Sequence, residues 1–120
     1  MFDFKRLRFS SYVAKFYNIY EVMFCGLEMK YLVLSRLRSG INVTPAVVKA
    51  IADHYDLVKK LKLEGKLEVH YPLLGRHGGV SIYVVKSHEE LQNLLVQNPL
   101  FNFNDYEIFP LLEYESVKKL

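Results

Sequence analysis

From residue 29 onward the chain alternates between two hydrophobic periods, one of two residues and one of three to four. Residues 30–37, Lys-Tyr-Leu-Val-Leu-Ser-Arg-Leu, alternate and are rich in strand formers. Ser39-Gly40 then marks a turn, so this stretch reads as a first strand. Thr44-Pro45 opens a helix, with Thr44 as N-cap and Pro45 at the first helical position, where a missing N–H costs nothing. The helix places Val47, Ile51, His54, Val58 and Leu61 on one face and Lys49, Asp53, Asp56 and Lys60 on another, and Gly65 stops it. Residues 67–74 alternate as a second strand, with Leu67, Val69, Tyr71 and Leu73 on one side and Glu68 and His70 on the other. Gly75-Arg76-His77-Gly78-Gly79 joins it to a third strand at residues 80–85, in which Ser81 and Tyr83 share a side. Pro72 implies that the second strand lies at a sheet edge or carries a bulge. Ser87 with Glu90 forms a capping box, launching a short helix through Leu91, Leu94 and Leu95 to about residue 97. Asn98-Pro99 ends it, and residues 106–113 form a fourth strand with Glu107 and Phe109 on one side.

The element order βαββαβ, within roughly 85 residues, predicts an α+β fold of the ferredoxin-like kind, an antiparallel sheet with both helices on one face. Neither side of the sheet is purely polar. A sheet whose second face stays partly apolar meets another sheet, so a homo-oligomer built on a sheet-to-sheet dimer is expected. The 17 aromatics, 9 Tyr and 8 Phe, fit burial against a partner subunit as well as within the domain.

Ahead of this domain, Tyr12, Val13, Phe16, Ile19, Tyr20, Met23 and Leu27 recur at helical spacing, which predicts an amphipathic helical extension within residues 1–28. Its expected role is packing on the domain or a neighbour. A helix lying on a membrane surface and translation from upstream of the true start, given that Met29 opens the first strand, are the alternatives. The apolar run is broken by Lys15, Asn18 and Glu21, and no small-residue cleavage site follows, so no secretory signal is expected. No stretch approaches the roughly 20 apolar residues of a membrane span. The domain itself is expected to cover residues 29–115, with a short tail at 116–120.

The formal charge of +3, from 16 Lys and Arg against 13 Asp and Glu, is too small to predict nucleic-acid binding. Lys59, Lys60, Lys62 and Lys66 read as the solvated end of a helix. A lone cysteine, Cys25, forms no intramolecular disulfide or cysteine cluster, and a cytoplasmic location is expected. The four histidines, His54, His70, His77 and His88, are too dispersed in element and face to predict a metal site. The glycine-rich hairpin opens no helix, so it is not a phosphate cradle.

The run Asn98-Pro99-Leu100-Phe101-Asn102-Phe103-Asn104-Asp105-Tyr106-Glu107-Ile108 is similar to the Pro-Leu-Phe signature that closes muconolactone isomerases. Ala52-Asp53 followed by Leu61-Lys62-Leu63-Glu64-Gly65, and Gly75 leading into Ser81-Ile82-Tyr83-Val84-Val85, resemble the same family, so the likeness runs from residue 29 to residue 114. It implies a ferredoxin-like subunit of a dimeric α+β barrel, often assembled further into a ring of ten. It implies too an isomerase that shifts a double bond in a small lactone carboxylate, with no metal or cofactor. That reaction needs a base with a pKa near the working pH and donors for the carboxylate and developing enolate.

Members of the family usually carry a glutamate after the Ala-Asp pair, the natural base candidate; His54 stands there in this chain. A histidine serves as a base near neutral pH, but on an apolar helix face it is more often a satisfied structural residue. The family's arginine after a second-strand aromatic is replaced by Tyr71-Pro72, and its Gly-His-Tyr turn by Gly75-Arg76-His77. Arg76 and His77 are candidates to hold a carboxylate, since an arginine fork pairs with one bidentately; polar residues at a hairpin tip are more often simply solvated. His70 and Tyr83 complete the candidate binding residues. Three functions follow: a cofactor-independent isomerase with His54 as proton carrier and Arg76 as anchor, a non-catalytic metabolite-binding module, and a structural assembly unit.

Overall fold

The computed structural model describes residues 7–9 and 28–118. Three residues, Leu7–Phe9, form a first strand, β1. The six predicted elements then follow in order: β2 (Met29–Leu37), α1 (Pro45–Leu63), β3 (Leu67–Pro72), β4 (Gly78–Val85), α2 (His88–Val96) and β5 (Asn104–Leu111); a single helical turn that the sequence reading does not include, α3 (Tyr114–Val117), comes after them. The sheet order is β1-β5-β2-β4-β3. Its last four strands are antiparallel neighbours in the ferredoxin-like order, and β1 adds a parallel edge beside β5. The strand at Leu7–Phe9 departs from a wholly helical extension; the helix expected over Tyr12 to Leu27 lies outside the described residues.

Local chemistry accounts for both long helices. Val47 N–H donates to the Thr44 hydroxyl at 3.3 Å and Pro45 occupies the first turn, while Gly65, at φ 76°, takes the left-handed conformation that ends α1. At α2, Glu90 N–H donates to Ser87 Oγ at 3.1 Å and the Glu90 carboxylate accepts from Lys86 N–H at 3.0 Å, a capping box shifted back by one residue. Both helices lie on one face of the sheet. Val58 and Leu61 of α1 and Leu91, Leu94 and Leu95 of α2 pack with Tyr31, Val33, Tyr83, Val85, Tyr106 and Ile108 into one core. The opposite face presents Leu32, Leu34, Val80, Ile82, Val84 and Phe109, all half-buried, rimmed by ion pairs such as Arg36–Glu107 and Lys30–Glu68.

One strand departs from strict alternation. Leu67 pairs with Tyr83 but Val69 with Ile82, so Glu68 is an extra residue, a β-bulge on the edge strand β3. Every side chain beyond it changes face. Val69 and Tyr71 therefore lie with Ile82 and Val80 on the open face, and His70, opposite Ser81, turns to the helix-covered side. This corrects the expectation that His70 shares a face with Glu68. Pro72 closes the strand at the sheet edge, where its missing N–H breaks no ladder.

Candidate functional site

The bulge brings a β3 histidine against an α1 histidine at one end of the helix-covered face. There a cavity of about 130 Å³ is lined by His54, Tyr55 and Ile51 of α1, His70 and Pro72 of β3, Arg76 and His77 of the hairpin, Gly78 and Gly79 of β4, Ser35 and Leu37 of β2, and Leu100 and Asn104. Four of the five residues singled out from sequence, His54, His70, Arg76 and His77, thus share one cavity. Tyr83 does not. It is 4% exposed within the core, and burial pushes its hydroxyl up to about 12, so it keeps its proton.

His54 and His70 meet through their Nε2 atoms at 3.4 Å, with ring planes crossed at 66°, and the Tyr55 ring lies edge-on to both. The outer nitrogens are also engaged. His54 Nδ1 lies 2.8 Å from Asn98 Nδ2 and 3.2 Å from Asn98 Oδ1, and His70 Nδ1 lies 2.7 Å from Ser81 Oγ. Asn98, 7% exposed, is itself oriented by Leu100 N–H, which donates to its Oδ1 at 2.9 Å. Burial lowers the pKa of His54, against a smaller raising effect of the Asn98 contact. Burial, then the nearby His54 and Lys62, lowers His70 to about 4. Both imidazoles are therefore held toward the neutral form at pH 7.

Glycine is required where the hairpin enters β4. A Cβ on Gly78 would collide with the Ser35 carbonyl oxygen, and one on Gly79 would stand 3.0 Å from His70 Cε1 and 3.2 Å from the Tyr71 carbonyl oxygen. The imidazole of His70 crosses directly over Gly79. Arg76 and His77 sit on the exposed connection, with the His77 carbonyl accepting from Leu37 N–H at 2.7 Å, which ties the connection to the end of β2. Among the described residues no three His, Cys, Asp or Glu side chains converge as a metal site would need.

The resemblance to the family singles out His54 as a site residue but gives no sign of Asn98 or Ser81. Asn98-Pro99 reads as a helix stop, which hides the role of the amide. Ser81 carries a usable signal, a lone hydroxyl on the Tyr83 side of an otherwise apolar strand.

Fold and site together define a small ferredoxin-like α+β protein with a neutral histidine pair in a cavity that also holds an arginine. The family model for muconolactone delta-isomerase matches residues 29–117. The muconolactone delta-isomerase of Cupriavidus pinatubonensis (strain JMP 134 / LMG 1197) is 33% identical over 93 residues, covering 73% of this chain and 97% of that protein. Muconolactone delta-isomerase 1 of Acinetobacter lwoffii is 28% identical over 88 residues, covering 69% and 92%. A crystal structure of muconolactone isomerase superposes with a TM-score of 0.66 at 27% identity, covering 73% of this chain and 93% of that one. The chain belongs to the muconolactone delta-isomerase family.

Proposed function

We propose that the protein is a cofactor-independent isomerase that shifts the double bond of a muconolactone-type lactone carboxylate by proton transfer inside the histidine cavity. The observation that carries this reading is a neutral imidazole pair, His54 and His70, in a cavity shared with Arg76, within a chain of this family. Moving the double bond requires taking a proton from a ring carbon activated by the lactone carbonyl and returning one to another ring carbon. A neutral imidazole takes a proton at pH 7 without first losing one. The cavity's mixed lining supplies an apolar wall from Ile51, Leu37 and Leu100, which excludes water, while Arg76 with His77 takes the carboxylate.

In this reading residues 29–115 are the catalytic unit, acting in the cytoplasm on a small lactone. The half-buried apolar face formed by Leu32, Leu34, Ile82 and Phe109 is its subunit contact. Steady-state kinetics test the site directly. Arg76→Ala is expected to raise KM for muconolactone by about tenfold or more, the loss of one charge-assisted contact, with a smaller effect on kcat. An unchanged KM would remove Arg76 from substrate binding.

A further inference from the structure

Two imidazole nitrogens in the cavity wall stand at a spacing that suits a metal ion held by both. His54 Nε2 and His70 Nε2 are 3.4 Å apart, longer than a well-formed hydrogen bond. Two nitrogens bound at about 2.0–2.1 Å to a tetrahedral Zn²⁺ lie about 3.3–3.4 Å from one another. The far side of each ring is arranged to match. An imidazole that binds a metal through Nε2 carries its proton on Nδ1 and needs an acceptor there. His70 Nδ1 has Ser81 Oγ at 2.7 Å, and His54 Nδ1 has Asn98 Oδ1 at 3.2 Å. That amide oxygen also accepts from Leu100 N–H at 2.9 Å, and it has a lone pair for each donor. The Asn98 amide nitrogen, 2.8 Å from His54 Nδ1, serves the same ring nitrogen when it bears no proton, so His54 is satisfied in either tautomer by one fixed neighbour. Asn98 and Ser81 are both buried, which shields these outer contacts from water.

We propose that His54 and His70 form a two-histidine site for a divalent transition metal ion such as Zn²⁺, and that its occupation switches the isomerase off. The switch rests on the isomerase reading above: with both Nε2 lone pairs on the metal, neither ring takes a proton from a substrate. Imidazole nitrogen suits Zn²⁺ and its neighbours in the first transition row. Burial holds both rings toward the neutral form at pH 7, so the metal displaces few protons from them. Among the described residues no third His, Cys, Asp or Glu completes the set, and His77, though it lines the same cavity, does not converge with the pair. The other coordination positions are left to water or a bound anion. Two protein ligands, with Arg76 in the cavity lining and the charge of Lys62 acting on His70, make the ion an exchangeable occupant and not a resident cofactor.

Calorimetric titration of the full chain with zinc chloride at pH 7, joined to nitrogen-15 spectra of the imidazole rings, tests the site. The Nε2 signals of His54 and His70 are both expected to shift as one Zn²⁺ binds, while those of His77 and His88 stay in place. Affinity is expected to fall at least tenfold in His54→Gln and His70→Gln, about tenfold in Ser81→Ala, which loses only an outer contact, and less than about twofold in His88→Gln, whose ring lies on α2 outside the cavity. No binding at about 1 mM Zn²⁺, binding that leaves either Nε2 signal unmoved, or undiminished affinity in either cavity variant would overturn the site. The spectra decide the point in the wild-type chain, where no substitution disturbs the fold. Muconolactone turnover is expected to fall in proportion to occupancy and to return when a chelator removes the metal; turnover that persists with the pair occupied would overturn the switch. A chain that binds Zn²⁺ as described but turns over no lactone when metal-free would instead overturn the isomerase reading, and the switch with it, while the metal site stood.

Discussion

His70 is the residue in which structure and chemistry meet most closely. Its pKa in the folded chain, about 4, lies below the ordinary 6.5 because burial, His54 and Lys62 all oppose a second proton. Between those values the unfolded chain binds a proton that the folded chain refuses. Stability from this group is therefore complete above about pH 6.5 and is lost as pH falls toward about 4. His54 is shifted in the same direction by burial, and so is His88. Thermal melts are thus expected to show Tm falling from pH 7 to pH 4.5, with a shallower fall in His70→Gln. An identical slope in the variant would mean that His70 is not buried as a neutral ring. Helical spacing alone puts His54 beside Ile51, and the cavity agrees. It does not reveal Asn98, because the sequence signal of an Asn-Pro pair is dominated by the helix it terminates.

At the scale of elements, the two helices and their caps are legible in the sequence because capping is local: Thr44, Pro45, Gly65, Ser87 and Glu90 act on backbone groups within a few residues. The second predicted strand is not. Leu67, Val69, Tyr71 and Leu73 make a coherent apolar alternation, and nothing within the strand marks Glu68 as the extra residue. What selects the bulge lies in its neighbours. Beyond it, His70 meets the Ser81 hydroxyl and His54 instead of the open face, and Val69 and Tyr71 join the apolar residues there. The candidate site exists because of that slip; strict alternation would have left α1 and β3 each with one histidine and no shared cavity. Pro72 carries the one legible hint, an edge or a bulge, and the strand has both.

At the scale of the whole molecule, the sheet divides the labour between its faces. The helix-covered face holds the core and the cavity, and the other face carries half-buried apolar side chains over four strands, with Tyr71 63% exposed among them. Such a face is stabilised when a second copy covers it. Light scattering at micromolar concentration is expected to give at least a dimer mass, and a monomer mass would leave that face without its proposed partner. The aromatic-rich composition points the same way, whereas β1 beside β5 has no counterpart in the reading of residues 1–28 as a helix. The central claim is that the neutral histidine pair moves a proton on a lactone ring. Its most direct measurement is NMR of muconolactone in deuterated buffer with the full chain. Ring deuteration and double-bond migration at rates proportional to protein concentration, lost in His70→Gln, are the predicted result; substrate that keeps its ring protons and its double bond at every protein concentration would contradict the account.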